Sequence, residues 1–144
     1  MTPEALFSLA SSAVLPGWLL LVFAPRWKWS TRLVTGVLLP ALLGLLYLYL
    51  IATRWARSEG GFSSLAEVKR LFDDPALLLA GWVHYLAFDL FVGTWEIRDA
   101  QKLGLPHLLV VPCLVFTFLF GPIGLLLYLV LRGLLRKRLL LEDA

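Results

Sequence analysis

Residues 75 to 107 begin as an apolar run long enough to enter a bilayer. They carry His84 and Asp89 within that run and Glu96, Arg98 and Asp99 at its end, with His107 just beyond. Ionisable groups at membrane depth are costly, so such a stretch reads as a functional site. At about 100° per residue, Asp89 and Glu96 project within about 20° of each other on a helix, and Asp99 lies about 60° from Glu96. His84 falls about 60° further round, several turns away. One half of the helix therefore carries the titratable groups, and that half is expected to face other helices.

Three chemistries fit these residue types. The first is structural: Asp89 bridges to a neighbouring helix, Glu96 pairs with Arg98 or Lys102, and His84 is a satisfied core histidine. The second is a metal site using Glu96, Asp99 and His107, with Asp89 as a further donor, a mix of carboxylate and imidazole suited to iron, manganese or zinc. Each histidine stands alone, without the paired spacing expected of a membrane di-iron centre, so no metal cofactor is expected. The third is proton transfer to and from a lipophilic substrate. A carboxylic acid in apolar surroundings can donate a proton, and a nearby carboxylate or histidine can accept one. Trp82, Tyr85, Phe88, Trp95, Phe116 and Phe118 then offer walls for a polyene slot or cation–π support for a cationic intermediate, besides their ordinary packing role.

The elements that must position these groups are legible from composition. Of 144 residues, 60% are hydrophobic and 16% charged, too apolar for a soluble domain of this length. No polar stretch is long enough for a second core, so residues 1–144 read as a single membrane domain. The net charge of +3 comes from Arg and Lys at the ends of apolar runs, which disfavours nucleic-acid binding. A lone cysteine, Cys113, leaves no internal disulfide. The N-terminus, without a basic leader or a small-residue cleavage site, reads as lacking a cleavable signal or transit peptide.

The apolar runs predict an all-α, integral membrane four-helix bundle with spans at about 6–24, 33–52, 75–96 and 108–131. Pro16-Gly17 is expected to kink the first span, and Gly36, Pro40 and Gly44 give the second a small-residue spacing for close helix approach. Ser63-Ser64 followed by Glu67 signals the cap of a short interfacial helix at about 63–73, between the second and third spans. Pro112 and Gly121-Pro122 interrupt the fourth span, which ends in Arg132 and the tail Arg136-Lys137-Arg138. Four spans put both termini on one side, and the distribution of Arg and Lys favours the inside, although the compact Arg26 to Arg32 cluster argues the other way.

The run Gly81-Trp82, His84-Tyr85, Asp89, Gly93, Trp95-Glu96 and Asp99, followed by Gly104, Pro106-His107, Pro112-Cys113, Thr117-Phe118 and Phe120-Gly121-Pro122, resembles the neoxanthin-synthase-like, or abscisic-acid-deficient-four-like, membrane proteins of plants. The resemblance covers the chain in layout, with its specific motifs in the second half. It implies a small membrane protein of carotenoid metabolism, a family linked in plants to converting the epoxide violaxanthin into the allenic neoxanthin. The chain looks like a bacterial relative, placed in an inner or thylakoid-type membrane. The expected activity is therefore acid–base isomerisation or epoxide opening of a lipophilic polyene. Asp89 and Glu96 would transfer protons, Asp99 and His84 would be their partners, and His107 would sit at the mouth. Trp82, Tyr85, Trp95 and Phe118 would line the substrate, and no redox cofactor is required. The alternative is a noncatalytic carotenoid- or lipid-binding subunit. Expected partners are the lipophilic substrate, membrane lipid, and a second copy of the chain or a carotenoid-pathway enzyme. A small transporter ranks third, since no inverted repeat is visible.

Overall fold

The computed structural model describes residues 1–137, and within them the protein is all-helical, with six α-helices and no strand. Helix α1 is Pro3–Phe23. A π-helical segment, Ser30–Leu38, runs directly into α2, Leu39–Arg54, which ends in a single 3-10 turn, Trp55–Arg57. The remaining helices are α3 (Leu65–Leu71), α4 (Pro75–Leu103), α5 (His107–Phe120) and α6 (Pro122–Arg136). Arg138, the last of the expected basic tail, lies outside the described residues.

Local chemistry sets the boundaries. Thr2 Oγ1 accepts from the Ala5 amide at 3.3 Å, and Pro3 supplies a first-turn residue with no N–H to satisfy. Ser64 Oγ accepts from the Glu67 amide while Glu67 Oε2 accepts from the Ser63 amide, each at 3.2 Å, so the expected cap of α3 is present. Asp74 Oδ1 takes the amides of Ala76 and Leu77 at 2.7 and 3.2 Å, starting α4 at Pro75. Gly104, at φ +63°, ends α4 in the left-handed conformation. Helix α1 continues through Pro16. The second apolar run departs from a plain α-helix: its first nine residues widen into π turns, with Thr35 Oγ1 donating to the Ser30 carbonyl at 3.0 Å. Pro40 at the end of that segment has no amide to return to Gly36, which removes one α-type bond there. Gly44 has open space where a side chain would project, so it makes no close helix contact within the chain.

The core is built around α4, which packs against α1, the π segment, α2, α5 and α6. Leu90, Val83, Ile97 and Leu77 of α4 are buried together with Val14 and Leu21 of α1. Outside that core the surface is strongly apolar, with Leu9, Leu19, Leu45, Leu48, Phe91 and Leu126 all more than half exposed. Three helical runs are long and apolar enough to cross a membrane: Pro3–Phe23, Ser30–Arg57 and Pro75–Leu103.

The expected fourth span is the main correction. Residues 108–131 do not form one helix; the chain reverses at Gly121, whose φ of +46° and ψ of −90° favour glycine, and α5 and α6 fold back on each other. The two arms touch where a Cβ on residue 124 would fall 2.0 Å from the Thr117 amide nitrogen, so only glycine lets α6 lie so close to α5. The tip of the hairpin sits beside Asp89, because a Cβ on residue 121 would lie 2.6 Å from Asp89 Oδ1. Its base is back at the end of α4, where Arg132 pairs with Asp99 and Arg136 donates to the Gly104 carbonyl. The physical reason is Pro122: it cannot supply the amide that would carry α5 through the junction, but it suits the first turn of a new helix. The arms, of 14 and 15 residues, are each about 21–22 Å long, half the roughly 43 Å of α4.

Candidate functional site

The hairpin lies along α4 and meets a file of acidic residues on it. At the base, Asp99 accepts from Tyr128 Oη at 2.6 Å and from Arg132 Nε at 2.8 Å, with a second contact from the Arg132 guanidinium to Oδ1 at 3.3 Å. Arg132 is 3% exposed, and Trp95 packs edge-on against the Tyr128 ring. Midway, Glu96 is fully buried, and Thr117 Oγ1 donates to it at 2.9 and 3.2 Å from the two carboxyl oxygens. At the tip, Asp89 lies against Gly121, and its Oδ2 is buried without a hydrogen-bond partner among the described residues. One turn before Asp89, Tyr85 Oη donates to the Phe118 carbonyl at 3.2 Å, one of the carbonyls that the end of α5 leaves free. The hydroxyl is also close enough to interact with the Asp89 carboxylate.

Tyr85 faces a groove as well. A cavity of about 580 Å³ near the starts of α1 and α4 is lined by Glu4, Phe7, Phe72, Leu78, Trp82 and Tyr85 among others. A second, of about 410 Å³, lies deeper between α1 and the end of α5, walled by Ser8, Ser11, Ser12, Leu86, Phe118 and Leu119. Phe7, Trp82 and Tyr85 line both, so the two cavities adjoin at these side chains as lobes of one largely apolar trough along α1 and α4. Trp82 is fixed there by stacking on Tyr85 at 5.3 Å and by an indole N–H bond to Ser11 Oγ at 2.9 Å.

The expected site residues are therefore divided. Asp89, Glu96 and Asp99 share the α4 face toward the hairpin, whereas His84 is exposed and stacks on Phe88 at 4.5 Å, with Tyr47 of α2 at 5.9 Å. His107 is spent on the far end of α1, its Nε2 2.7 Å from the Val22 carbonyl, beside Gln101, which donates to the Pro25 carbonyl at 2.7 Å. No three His, Cys, Asp or Glu side chains among the described residues are grouped to hold a metal, so Glu96, Asp99 and His107 do not converge as ligands. Glu96 does not pair with Arg98, which is exposed, and Asp99 takes its cation from α6 instead. Of the expected substrate walls, Trp82, Tyr85 and Phe118 line the trough, while Trp95 belongs to the Tyr128 end. Tyr128 and Arg132 were missed as partners of Asp99. Their signal was a Tyr and an Arg four residues apart within an apolar run, legible only once that run is known to turn back.

An all-helical chain with membrane-length apolar helices and a file of carboxylates on its central helix, the middle one fully buried, has the character of a membrane protein with an internal polar site. The chain belongs to the ABA4-like family: the family model described as ABA DEFICIENT 4-like matches residues 5–128. It is 24% identical over 145 aligned residues to Protein ABA DEFICIENT 4, chloroplastic, of Arabidopsis thaliana, an alignment covering 94% of this chain and 64% of that protein. The chain thus spans somewhat under two thirds of that relative's length. No solved structure matches.

Proposed function

We propose that the protein is a membrane enzyme of carotenoid or related isoprenoid metabolism that isomerises, or opens the epoxide of, a lipophilic polyene by proton transfer. Family membership supports the carotenoid setting. The observation that carries the chemistry is the nearness of an apolar trough to a half-buried carboxylate with one buried oxygen unsatisfied: Tyr85 lines the trough, and Asp89 lies one turn away with Oδ2 lacking a hydrogen-bond partner among the described residues. Buried polar atoms are ordinarily paired, so an orphaned oxygen calls for an explanation, and proton transfer is the one proposed here. Asp89 is the proposed proton-transfer residue. Glu96, sealed behind Thr117, is a reserve acid in the same file, and Asp99, held by Arg132 and Tyr128, locks the hairpin to α4. Neither His84 nor His107 is given a role in proton transfer.

In this reading three helices cross the membrane and α5–α6 enters as a re-entrant hairpin. Arms of about 21 Å fall short of a hydrocarbon core of about 30 Å, and irregular backbone at that depth is tolerated only where protein covers it, as it covers the buried Gly121. Helix α3 lies near the headgroups. The basic residues then separate by side. Arg26, Lys28, Arg32, Arg98, Lys102, Arg132, Arg136 and Lys137 gather where α1 and α4 end. The opposite side has Arg54, Arg57, Lys69 and Arg70 against Glu4, Glu59, Glu67, Asp73 and Asp74. This favours an N-terminus outside and the hairpin base inside, in place of two termini on one side. The Arg26 to Arg32 cluster then falls with the majority.

A second reading, a noncatalytic carotenoid- or lipid-binding subunit, is favoured by one observation: the trough is lined by Tyr85 but by none of Asp89, Glu96 and Asp99. Expression in a carotenoid-producing host, with pigments compared between wild type and Asp89→Asn at equal protein levels, separates the two. The enzyme reading expects an altered pigment that is absent with the variant. A pigment profile changed equally by both proteins would sink it.

A further inference from the structure

We propose that the Tyr85 hydroxyl is the catalytic group that touches the substrate oxygen, and that Asp89 acts through it as the proton store. This deepens the acid–base reading and rests on it. Among the described residues, Tyr85 both lines the two lobes of the trough and, one turn before Asp89 on α4, neighbours its carboxylate. Its ring is held by the Trp82 stack, so the hydroxyl is aimed at the hairpin tip and has little freedom beyond rotation of its proton. That single proton has two acceptors in reach. It is donated to the Phe118 carbonyl at 3.2 Å, which leaves Asp89 Oδ2 without a partner. The other titratable group at the trough is Glu4, at the opposite end of its wider lobe. From α1, Ser11 is engaged by Trp82, and from α5 the Phe118 carbonyl accepts from the Tyr85 hydroxyl.

The step balances without a redox partner. The Tyr85 O–H bond breaks as its proton passes to the substrate oxygen, while the Asp89 carboxyl proton moves to the tyrosine oxygen, leaving the carboxylate. The epoxide C–O bond breaks as its oxygen is protonated, the C–H pair of a neighbouring carbon becomes the new C=C bond, and the proton lost from that carbon is taken by the tyrosine oxygen as its own proton returns to Asp89. Substrate and product are isomers, and the enzyme ends as it began.

Two measurements test this. The first needs no substrate: the infrared difference between wild type and Asp89→Asn isolates the Asp89 carboxyl band, and the same difference is taken in a Tyr85→Phe background. The band should shift when the hydroxyl is removed; an unmoved band refutes the coupling. The second uses violaxanthin as an epoxide-bearing polyene with purified protein in lipid nanodiscs. Tyr85→Phe keeps the ring and its stack, so KM should stay within about twofold while kcat falls by about a hundredfold or more. If Tyr85→Phe fails to accumulate, 3-fluorotyrosine at position 85 keeps the shape and sharpens the acid; a changed kcat then supports the relay and an unchanged one overturns it. The two levels of failure are distinct. Full turnover by Asp89→Asn, or none by the wild type, sinks the acid–base reading and the relay together. An inactive Asp89→Asn beside a fully active Tyr85→Phe sinks the relay alone.

Discussion

Replacing Gly121 by alanine distinguishes a hairpin from a fourth span by the sign of the effect. In the structure residue 121 has φ +46° and ψ −90°, a conformation that costs an L-residue about 1–3 kcal/mol. The added methyl would also stand 2.6 and 3.0 Å from the two Asp89 carboxyl oxygens, and forcing a methyl into a filled site costs about 1–3 kcal/mol more. Gly121→Ala should therefore destabilise the protein by about 2–6 kcal/mol, and it should displace Asp89 and lower turnover in what remains folded. Were residues 108–131 one continuous helix, the same change would replace glycine by a better helix former and stabilise by about 0.5–1 kcal/mol. Gly44→Ala is the control, because open space surrounds that position and both arrangements expect a small gain. Reversible unfolding in mixed micelles, titrated with a denaturing detergent and followed by tryptophan fluorescence, measures both variants. Gly121→Ala at or above wild-type stability would refute the reversal at this residue.

Other outcomes follow from the contacts along the hairpin. Thr117→Val keeps shape but removes the hydroxyl that donates to the buried Glu96, so stability should fall by about 1–3 kcal/mol, an effect relieved in a Glu96→Leu background. Arg132→Met removes the cation from Asp99 and should cost no more than about 3 kcal/mol, the lower end for a broken buried pair, because Asp99 is 13% exposed and keeps the Tyr128 hydroxyl. The loss should show in thermal unfolding while kcat per folded molecule stays unchanged. Single cysteines at Thr2 and Lys137, labelled from each side of sealed vesicles in a Cys113→Ser background, should report opposite sides. Chelator-treated protein should keep its turnover, since Glu96, Asp99 and His107 do not converge; loss of activity restored by one added metal would reverse that expectation.

How much of this was legible in the sequence differs between α4 and its partners. The carboxylate face of α4 follows from helical spacing alone, and Asp89, Glu96 and Asp99 do share the side toward α5 and α6. The cap of α3 at Ser64 was equally local, and the caps at Thr2 and Asp74 and the left-handed stop at Gly104, though not read from the sequence, are likewise set by residues within one turn of the boundary. What spacing cannot give is the identity of the neighbour. His84 lies on the same half of an ideal helix, yet its side faces Tyr47 of α2, because α4 is wrapped by five packed segments and adjacent sectors meet different ones. His107 was expected at the mouth of the site, but the Val22 carbonyl in the last turn of α1 and the Pro25 carbonyl just beyond it need partners, and His107 and Gln101 supply them.

The hairpin shows where the local signals ran out. Gly121-Pro122 reads as an interruption on composition, and a kinked span and a full reversal place the same residues at the break. They are separated by tertiary facts: the bare face of Gly124 against Thr117, and the return of Tyr128 and Arg132 to Asp99. That return decides which acids remain available for chemistry. A straight fourth span would have carried Arg132 toward the start of α4, away from Asp99, and left Asp99 and Asp89 equivalent, two carboxylates on one face. The reversal gives Asp99 a guanidinium and a phenol, gives Glu96 a hydroxyl, and brings to Asp89 only the glycine at the turn. The acid with fewest partners is thus the one nearest the apolar trough, which is where a proton has to be exchanged.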